Sequence, residues 1–307
     1  MGYAPRADDR VPMMTALRDG TKLWPVAAAS RSGERSIGAL LIDAGKLTPA
    51  DAERVLRLQR EHGLKFGEAA VQLGLVSEQD IQQMLSAQFE YPYLHGQDNG
   101  LGPEVIAAYQ PFSRQVEQLR ALRSQLMLRW FSPERKVLAI ISPGRGEGRS
   151  YLAANLAVVC SQLGERTLLV DADMRHPRQH RLFDLSDKLG LSTMLSGRRG
   201  HEELHRVPGL LDMSVLPAGP SPPNPQELLG RAALADLTRE LSAAFDIVIV
   251  DTPAAELSAD AQVIAVRSGG ALLVVRKDRT CLRAVQDLAA SVTDTGGRVV
   301  GSVLNDF

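Results

Sequence analysis

The chain has 307 residues, of which 44% are hydrophobic and 23% are charged, and its formal net charge is −1. This length predicts two domains of ordinary size, and the composition is typical of globular protein with ample apolar material for a core. The balanced charge argues against nucleic acid as the main partner. No apolar run approaches the ~18 residues that a membrane-spanning helix needs, and residues 1–20 hold no apolar stretch of signal-peptide length. The composition therefore predicts a cytoplasmic protein that reaches a membrane only through a partner.

The first segments in chain order are a tail and an internal repeat. Residues 1–34 are rich in Arg, Asp, Gly, Ser and Ala without a sustained period, which predicts a loosely ordered tail. Residues 35–94 then contain two copies of one pattern, displaced by 29 positions. The matched positions are Gly38 with Gly67, Gly45 with Gly74, and Gln59 with Gln88.

Each copy of the repeat contains a helix-start signal. Thr48 and Ser77 stand where an N-cap belongs, and Asp51 and Asp80 follow three residues later. Each copy is therefore predicted to be a short helix, a turn that ends at glycine, and a capped second helix. Two such helical hairpins predict one small all-α tandem-repeat domain at 35–94.

The rest of the chain alternates strand and helix signals after a short connection. Residues 95–112 contain three glycines and two prolines, which predicts a linker. Within 113–307, continuous apolar runs predict five buried strands, at 136–142, 166–171, 246–251, 271–276 and 298–304, and a helix at 150–163. Apolar strands separated by helices indicate an α/β domain with a doubly wound, mostly parallel sheet and helices on both faces. Its ligand should lie at the carboxyl ends of the strands.

A glycine-rich loop follows the first predicted strand. Residues 142–150 read SPGRGEGRS, with three glycines in five residues between a strand and a helix. Such a loop lets successive N–H groups converge on a phosphate, and the helix N-terminus adds partial positive charge. Ser150 occupies the position of the magnesium-binding hydroxyl of a P-loop. Pro143 and Arg149 replace the usual first glycine and the usual lysine, so a glycine-rich turn without a ligand is the alternative.

Carboxylates end two further predicted strands. Asp171 and Asp173 close the second strand, and Asp251 closes the third. A P-loop site needs a carboxylate at a neighbouring strand end to hold hydrated magnesium, and the ends of parallel strands share one edge. Capping or loop solvation is the alternative for each aspartate alone. Together with the loop, the three aspartates predict a site for ATP and Mg²⁺.

Two long runs resemble a known family. Residues 146–177, GEGRSYLAANLAVVCSQLGERTLLVDADMRHP, and residues 245–254, FDIVIVDTPA, closely resemble the bacterial tyrosine kinases. Residues 216–229, LPAGPSPPNPQELL, resemble the segment before a later helix of that family. The resemblance covers 113–307 and is closest to the chain-length-determinant kinases of exopolysaccharide operons, the EpsG type.

The resemblance implies a role for individual residues. The nucleotide would be bound by Gly144, Arg145, Gly146, Glu147, Gly148, Arg149, Ser150, Tyr151 and Asn305. The metal would be held by Ser150, Asp171 and Asp251. Catalysis would involve Asp173 as the base for a tyrosine hydroxyl, with Arg149 and Asp171. These roles are chemically sound, because phosphoryl transfer needs positioning and charge neutralisation more than covalent help.

A helix upstream of the loop resembles the oligomerisation motif of the same family. Glu117, Arg120 and Arg123 are spaced by three residues and form one polar stripe. The resemblance implies a subunit interface in a homo-oligomeric ring that brings one subunit's tyrosine tail to a neighbour's site. An ordinary solvated helix face is the alternative.

The tyrosines depart from the family pattern. Such kinases commonly end in a tyrosine cluster, whereas this sequence ends at Phe307 and its tyrosines are Tyr3, Tyr91, Tyr93, Tyr109 and Tyr151. Phosphorylation of a C-terminal tail is therefore in question. Tyr91 and Tyr93 are substitutes in principle, but aromatic residues that close the first domain are the favoured interpretation.

The repeat itself resembles the N-terminal domain of type II secretion ATPases, the MshEN or GspE type. The resemblance covers 36–94, and it implies either binding of cyclic di-GMP or docking to a protein. Ser36 and Lys65 stand where that family has arginine, which would stack on guanine or pair with phosphate. Protein docking is therefore the favoured reading.

Cysteines and histidines give weaker signals. Cys160 and Cys281 both lie in apolar runs, which predicts two buried thiols in a reducing compartment and no metal site. His201 and His205 are spaced as a zinc pair would be, but no third ligand follows, so a solvated helix face is predicted.

Two functions from different classes are consistent with these patterns. The first is an ATP-dependent, non-specific protein-tyrosine kinase, an autokinase that regulates exopolysaccharide chain length and export. It would work with a membrane chain-length-determinant protein, the polysaccharide co-polymerase. The second is a P-loop ATPase or pseudokinase switch that controls assembly of the export complex, gated in one version by cyclic di-GMP. Phosphotyrosine distinguishes the first from the second.

Overall fold

The computed structural model describes residues 36–78, 80, 81, 84, 100–197, 203–210 and 212–307. Two compact units divide the chain between residues 89 and 90. Each unit has a buried core of its own. The predicted tail at 1–34 lies outside the described residues, as do Tyr91 and Tyr93.

The first unit is helical in the part that is described. Its helices are α1 (Ile37–Asp43), α2 (Pro49–His62) and α3 (Phe66–Gln72). The hydroxyls of Thr48 and Ser77 each accept a hydrogen bond at 3.1 Å, from the amides of Asp51 and Asp80 respectively. Both predicted N-caps are therefore confirmed. The core of this unit contains Leu41, Leu47, Val55, Ala69, Ala70 and Val76.

The second unit is built on a seven-stranded sheet with the order β3-β4-β2-β5-β1-β6-β7. The strands are β1 (Val137–Ile141), β2 (Thr167–Asp171), β3 (His205–Arg206), β4 (Met213–Leu216), β5 (Ile247–Asp251), β6 (Gly270–Arg276) and β7 (Arg298–Asn305). Within the described residues, β3 pairs antiparallel to β4 and every other pairing is parallel. The predicted doubly wound, mostly parallel sheet is confirmed.

Nine helices of the second unit are described. They are α4 (Ile106–Tyr109), α5 (Arg114–Arg129), α6 (Arg149–Ser161), α7 (Gln179–Leu182), α8 (Leu191–Leu195), α9 (Pro225–Gly230), α10 (Ala232–Ala244), α11 (Asp260–Ser268) and α12 (Leu282–Asp294). Among the described residues, no helix is long and apolar enough to cross a bilayer.

Helices cover both faces of the sheet, because successive strand residues point to opposite sides. Leu138 and Ile140 of β1 pack in a core cluster with buried residues of α5 and α6. Val137, Ala139 and Ile141 of the same strand pack in a second cluster with residues of α10, α11 and α12. This two-sided burial explains why the central strands are continuously apolar in sequence.

Two strands were not predicted from the sequence. β3 has two residues and β4 has four, with Ser214 inside it and Pro217 directly after it. Runs this short do not stand out from a loop, so the tertiary pairing of β4 with β2 decides their conformation. The bounds of the five predicted strands differ from the observed ones by at most one residue at either end.

Part of the predicted linker belongs to the second unit. Leu101, Val105, Ala107 and Ala108 are buried in its core cluster. The buried amide of Asn155 accepts a hydrogen bond from the Ala107 main chain at 2.9 Å. The prediction of a linker at 95–112 is therefore wrong for 101–108, which contributes buried apolar side chains to the core of the second unit.

Two smaller predictions also need correction. Cys160 is buried, and burial raises the pKa of its thiol to about 12, but Cys281 is exposed. The neighbour Leu282 is itself 70% exposed, so that apolar run is at the surface. His205 lies in β3 and not on a helix, and His201 lies outside the described residues.

Candidate active site at the carboxyl edge of the sheet

The glycine-rich loop joins β1 to α6, as the sequence predicts. Gly148 is the N-cap of α6, and its φ of 92° is in the left-handed region that favours glycine. A Cβ at this position would lie 2.4 Å from Nδ2 of Asn305, so the loop also needs glycine for space. The Asn305 amide donates to the Glu147 carbonyl at 2.8 Å. The end of β7 is thereby joined to the loop, and the nucleotide contact of Asn305 stays a prediction.

Arg149 holds the loop together from inside. Arg149 is 8% exposed, and its guanidinium donates to the carbonyls of Thr252 and Gly144, each at 2.9 Å, and to the Ser142 hydroxyl. The side chain therefore ties the loop after β1 to the end of β5. Burial raises the pKa of Asp251, and the nearby positive charge of Arg149 offsets part of that rise. The phosphate contact that the sequence predicted for Arg149 stays a prediction, since these contacts of its guanidinium are with protein oxygens.

Two glutamates support the outer side of the loop. The buried Glu147 carboxylate accepts a hydrogen bond from the Thr280 hydroxyl at 2.7 Å. The exposed Glu256 carboxylate accepts one from the Arg145 amide at 2.8 Å. These contacts connect the loop to the segments after β5 and β6.

Asp171 and Asp251 lie side by side on neighbouring strands. They are register partners at the ends of β2 and β5, and both are fully buried. Asp171 accepts three main-chain hydrogen bonds, from Asp173 at 3.1 Å, Arg178 at 3.0 Å and Gln179 at 2.9 Å. The turn after β2 thus wraps around the Asp171 carboxylate.

Asp251 is less completely bonded than Asp171. Its Oδ2 accepts a hydrogen bond from Nε2 of Gln179 at 2.8 Å, and the Ser150 hydroxyl interacts with the same carboxylate. Its Oδ1 is buried and has no hydrogen-bond partner among the described residues. A buried acceptor without a donor costs about 1–3 kcal/mol.

The buried carboxylate pair has the chemistry of a cation site. Burial raises the pKa of Asp171 well above its usual value, and the charge of Asp251 raises it further. Burial also raises the pKa of Asp251. Two close carboxylates, a serine hydroxyl and an orphaned oxygen form a hard-oxygen donor set that fits Mg²⁺ with its waters.

Asp173 occupies the next turn. It is 5% exposed, and its Oδ1 accepts hydrogen bonds from the amides of Arg175 at 3.2 Å and His176 at 2.8 Å. The Arg175 guanidinium donates to the buried Asp260 at 2.9 Å, which anchors this turn to the start of α11. The three predicted aspartates therefore meet at one edge of the sheet, next to Ser150.

A cleft of about 960 Å³ opens beside the loop. Its walls include Tyr151, Asn305 and Phe307, with apolar side chains of α5. Burial raises the pKa of the Tyr151 phenol, and the charge of Glu104 adds to the effect. Arg276 donates to the Phe307 carbonyl and lies 4.2 Å above the centre of the Phe307 ring. The cleft thus has the glycine-rich loop at one end and an aromatic side chain in its wall.

The predicted oligomerisation residues lie on α5 and divide into two kinds. Glu117 and Arg120 form an ion pair with each other, and the Glu117 side chain is 61% exposed. Arg123 is half-buried and donates to the Val159 carbonyl at 2.7 Å, near the end of α6. Arg123 is therefore part of the packing between α5 and α6, and the alternative of a uniformly solvated stripe is wrong for it.

Sequence reasoning missed several side chains that the structure brings to the site. The most central is Gln179, and the others named above are Glu256, Arg276 and Thr280. Gln179 is eight residues from Asp171 in a segment without periodicity, so no local pattern marks it. Its proximity to the loop depends on how the chain turns after β2.

Known proteins were compared with the chain by sequence. No family model matches it. Over 195 residues it is 36% identical to CapB of Staphylococcus aureus, a protein named as a tyrosine-protein kinase, and the match covers 64% of this chain and 86% of CapB. Over 201 residues it is 35% identical to the tyrosine-protein kinase YwqD of Bacillus subtilis (strain 168), which covers 66% of this chain and 85% of YwqD.

Solved structures agree with the sequence matches. The kinase domain of the Escherichia coli tyrosine kinase ETK superposes with a TM-score of 0.65 at 29% identity, covering 71% of this chain and 85% of that one. The chimerical protein CapA2B2 superposes with a TM-score of 0.63 at 33% identity, covering 73% and 97%. Taken with the loop and the aspartates at the sheet edge, these matches show that the chain belongs to the family of bacterial protein-tyrosine kinases.

Proposed function

We propose that this chain transfers the γ-phosphoryl group of ATP to tyrosine hydroxyls, in a reaction that depends on Mg²⁺. The observation that carries the proposal is the buried pair Asp171 and Asp251 beside Ser150, with one carboxylate oxygen left without a donor. A structural role alone gives no reason to bury two like charges at the mouth of a glycine-rich loop.

The loop would bind the phosphates of ATP, and the sheet edge would bind the metal. The main-chain N–H groups of 146–149 and the first turn of α6 would bind the phosphates. Ser150, Asp171 and Asp251 would hold the metal, directly or through its waters. Mg²⁺, when bound, supplies positive charge that neutralises the phosphates and the carboxylate pair. Arg149 would keep the loop in its phosphate-binding shape.

Asp173 is proposed as the residue that accepts the proton of the tyrosine hydroxyl. Two amides bind its Oδ1, so the carboxylate is fixed in orientation and Oδ2 is the oxygen that would face the acceptor. The tyrosine oxygen forms a bond to the γ-phosphorus, the bond to the β-phosphate oxygen breaks, and ADP leaves. A positioned carboxylate typically contributes a factor of roughly 10²–10⁴ to such a step.

The nucleotide base is proposed to enter the cleft between Tyr151 and Phe307. The Phe307 ring is 66% exposed, and Arg276 covers it on one side. An exposed aromatic ring beside a phosphate-binding loop offers a stacking surface for a base. Asn305 stands between this surface and the loop.

The biological setting is proposed from the family resemblance. The enzyme would regulate exopolysaccharide chain length and export at the cytoplasmic face of the membrane. Its partner would be a membrane chain-length-determinant protein, the polysaccharide co-polymerase, and the kinase would act as a homo-oligomer. The absence of a membrane-spanning helix among the described residues is compatible with recruitment by such a partner.

A second candidate function is an ATPase or pseudokinase switch. The observation that favours it is the set of contacts of Arg149, whose fork is engaged by three protein oxygens in place of a phosphate. A P-loop lysine is a compact charge that reaches the phosphates, and arginine differs in shape. In this version, ATP binding would control assembly of the export complex without phosphotyrosine.

One experiment separates the two candidates. Purified protein is incubated with Mg²⁺ and γ-labelled ATP, beside an Asp173→Asn variant and with or without the cytosolic segment of the membrane partner. The kinase proposal expects label on tyrosine that falls by roughly 10²-fold or more in the variant. Free phosphate without phosphotyrosine would instead establish the switch. Neither label nor phosphate release in any arm would refute both.

Cyclic di-GMP stays a prediction of the sequence for residues 36–94, and the comparisons lend it no support. Ser36 is the N-cap of α1, where its hydroxyl accepts from the Ala39 amide at 3.4 Å. That helix-capping role is consistent with the alternative of a protein-docking module. Calorimetry of the full chain with cyclic di-GMP decides: no heat at high ligand concentration would remove the dinucleotide from consideration.

A further inference from the structure

Gln179 is a fully buried glutamine at the centre of the site, and the proposed phosphoryl transfer does not use it. Its Nε2 donates to Oδ2 of Asp251 at 2.8 Å and to the Ser150 carbonyl at 3.1 Å. Its main-chain amide donates to Oδ2 of Asp171 at 2.9 Å. One residue thus contacts both buried carboxylates and the helix start that carries the serine hydroxyl.

The orientation of the Gln179 amide follows from its neighbours. Both groups next to Nε2 are acceptors, a carboxylate oxygen and a main-chain carbonyl, so the NH₂ end of the amide must face them. The opposite orientation would place Oε1 against two acceptors. The side-chain oxygen therefore makes no hydrogen bond with either partner, and both hydrogens of the amide are already used.

Two buried oxygens at this point lack donors. Oε1 of Gln179 and Oδ1 of Asp251 have no hydrogen-bond partner among the described residues. They belong to side chains that are bonded to each other, so they lie in one small region. Buried acceptors are nearly always satisfied in native proteins, which implies that a ligand with several donors occupies this region in the working enzyme. The waters of a hydrated divalent cation are such donors.

We infer that Gln179 is a positioning residue for the metal: its Nε2 orients Asp251, and its Oε1 accepts a hydrogen bond from a cation-bound water. The inference rests on the proposed Mg²⁺-ATP site and adds a residue to it. It also explains why a neutral amide is found between two carboxylates. A third carboxylate would add repulsion, and an apolar side chain would leave Asp251 and the Ser150 carbonyl without donors.

The test measures binding, which is independent of turnover. ADP affinity of the full chain is measured by calorimetry with Mn²⁺ and with EDTA, for the wild type and for Gln179→Met, which keeps the side-chain length without polar hydrogen-bonding groups. The metal-dependent gain in affinity is expected to fall by roughly 10-fold or more, the usual effect of losing a group that orients a metal ligand. ADP affinity in EDTA is expected to change by less than about twofold.

A second variant and a matched control separate positioning from a general structural role. Gln179→Glu brings a third carboxylate to the pair, so its melting temperature should be lower than that of the wild type in EDTA and should rise more when Mg²⁺ and ADP are added. Gln162→Met is the control, because its amide donates to the Ala107 carbonyl at 2.9 Å, away from the aspartates. It should leave the metal-dependent gain unchanged.

The possible results separate failure of the role of Gln179 from failure of the proposed Mg²⁺ site. If the wild type shows no metal-dependent gain in ADP affinity, the proposed Mg²⁺ site itself is wrong. If the wild type shows the gain and Gln179→Met retains it in full, the site stands and the role of Gln179 is refuted. Equal loss of ADP affinity with Mn²⁺ and with EDTA would also refute it, because that result describes a structural residue.

Discussion

At the scale of single residues, the site stores electrostatic strain in two buried carboxylates. Burial raises the pKa of Asp171 and of Asp251, and mutual repulsion adds to the shift at Asp171. A raised pKa means that the folded protein binds a proton more tightly than the unfolded chain does. The associated stability is complete below the ordinary value of 3.8 and is lost as the pH rises through the folded pKa.

This sign gives a prediction for Asp251→Asn in the absence of metal. At neutral pH in EDTA the variant should be more stable than the wild type by about 1–3 kcal/mol, because it removes one of two like charges that are buried side by side. The advantage should shrink as the pH falls through the raised pKa of the pair, because protonation of the wild type removes the same repulsion. Urea denaturation over a pH series measures both free energies of unfolding.

The same variant should respond differently to ligand. Mg²⁺ with ADP should stabilise the wild type strongly and Asp251→Asn weakly, because the variant has lost a metal-binding charge. A variant that is less stable than the wild type at neutral pH in EDTA would contradict the claim that the pair is strained.

At the scale of elements, α5 and the segment after it dock on the sheet through Trp130. The ring is 3% exposed, and its Nε1 donates to the Val137 carbonyl at 3.0 Å. Gly270, the first residue of β6, lies directly against it: a Cβ there would be 2.3 Å from a ring carbon. The tight fit requires glycine at this position.

Gly270→Ala should therefore destabilise the second unit by about 1–3 kcal/mol, the usual cost of overpacking. Gly301→Ala is the matched control on β7, because its added Cβ would meet Leu272 at an ordinary 3.9 Å. Urea unfolding followed by Trp130 fluorescence, in a Trp24→Phe background, compares the two. Equal stability of the two variants would show that the ring moves aside freely.

The capping boxes of the first unit give a second prediction at this scale. Thr48→Ala removes the acceptor for the Asp51 amide and should cost about 0.5–2 kcal/mol of local stability. Lys65→Ala is the control, since that N-cap is closed by the Glu68 carboxylate on the Lys65 main-chain amide, which alanine keeps. Hydrogen exchange of residues 49–62 in the full chain should accelerate in the first variant. Unchanged exchange there would rule out a role for the cap.

The stability that these caps provide depends on pH with the opposite sign from that of the buried pair. The Ser77 hydroxyl and Lys46 lower the pKa of Asp80 to about 2. A lowered pKa stabilises the folded state above the ordinary value of 3.8, and this stability is lost as the pH falls through the folded pKa. Lowering the pH from 3.8 to about 2 should therefore weaken the cap, whereas the strain at Asp171 and Asp251 is already relieved as the pH falls toward 3.8.

At the scale of the whole molecule, self-association is predicted through α5. The ion pair of Glu117, whose side chain is 61% exposed, with Arg120, which is 22% exposed, joins two residues of the same helix and contributes little to the fold, since surface pairs are worth about 0–1 kcal/mol. Arg123, in contrast, bonds α5 to α6. The two arginines of one motif should therefore respond differently to substitution.

Arg120→Glu should lower the mass of the assembly and leave the melting temperature nearly unchanged. Arg123→Ala should destabilise the protein by about 1–3 kcal/mol, because a half-buried contact to a carbonyl is lost. Light scattering after gel filtration gives the mass, and thermal unfolding gives the stability. A wild type that is monomeric at all concentrations, or an Arg120→Glu variant with unchanged mass, would contradict an interface on α5.

The sequence by itself determined the features that depend on near neighbours. Thr48 and Asp51 are three residues apart, the buried strands are continuous apolar runs, and the loop at 142–150 joins the first of them to a helix. Asp171 and Asp251 each end such a run. Once the strands are parallel neighbours, register brings them together, so the candidate site could be predicted in outline.

Tertiary structure alone decided the contacts that complete the site. Nε2 of Gln179 reaches Asp251 across 72 residues of sequence, and Arg149 reaches the Thr252 carbonyl across 103. The segment at 101–108 lies in a stretch whose glycines and prolines predicted a linker. It is buried because it packs on α6, where Asn155 accepts a hydrogen bond from its main chain. Hydrogen bonds of this kind depend on the positions that groups distant in sequence take in the folded protein, and no periodicity in the sequence encodes those positions.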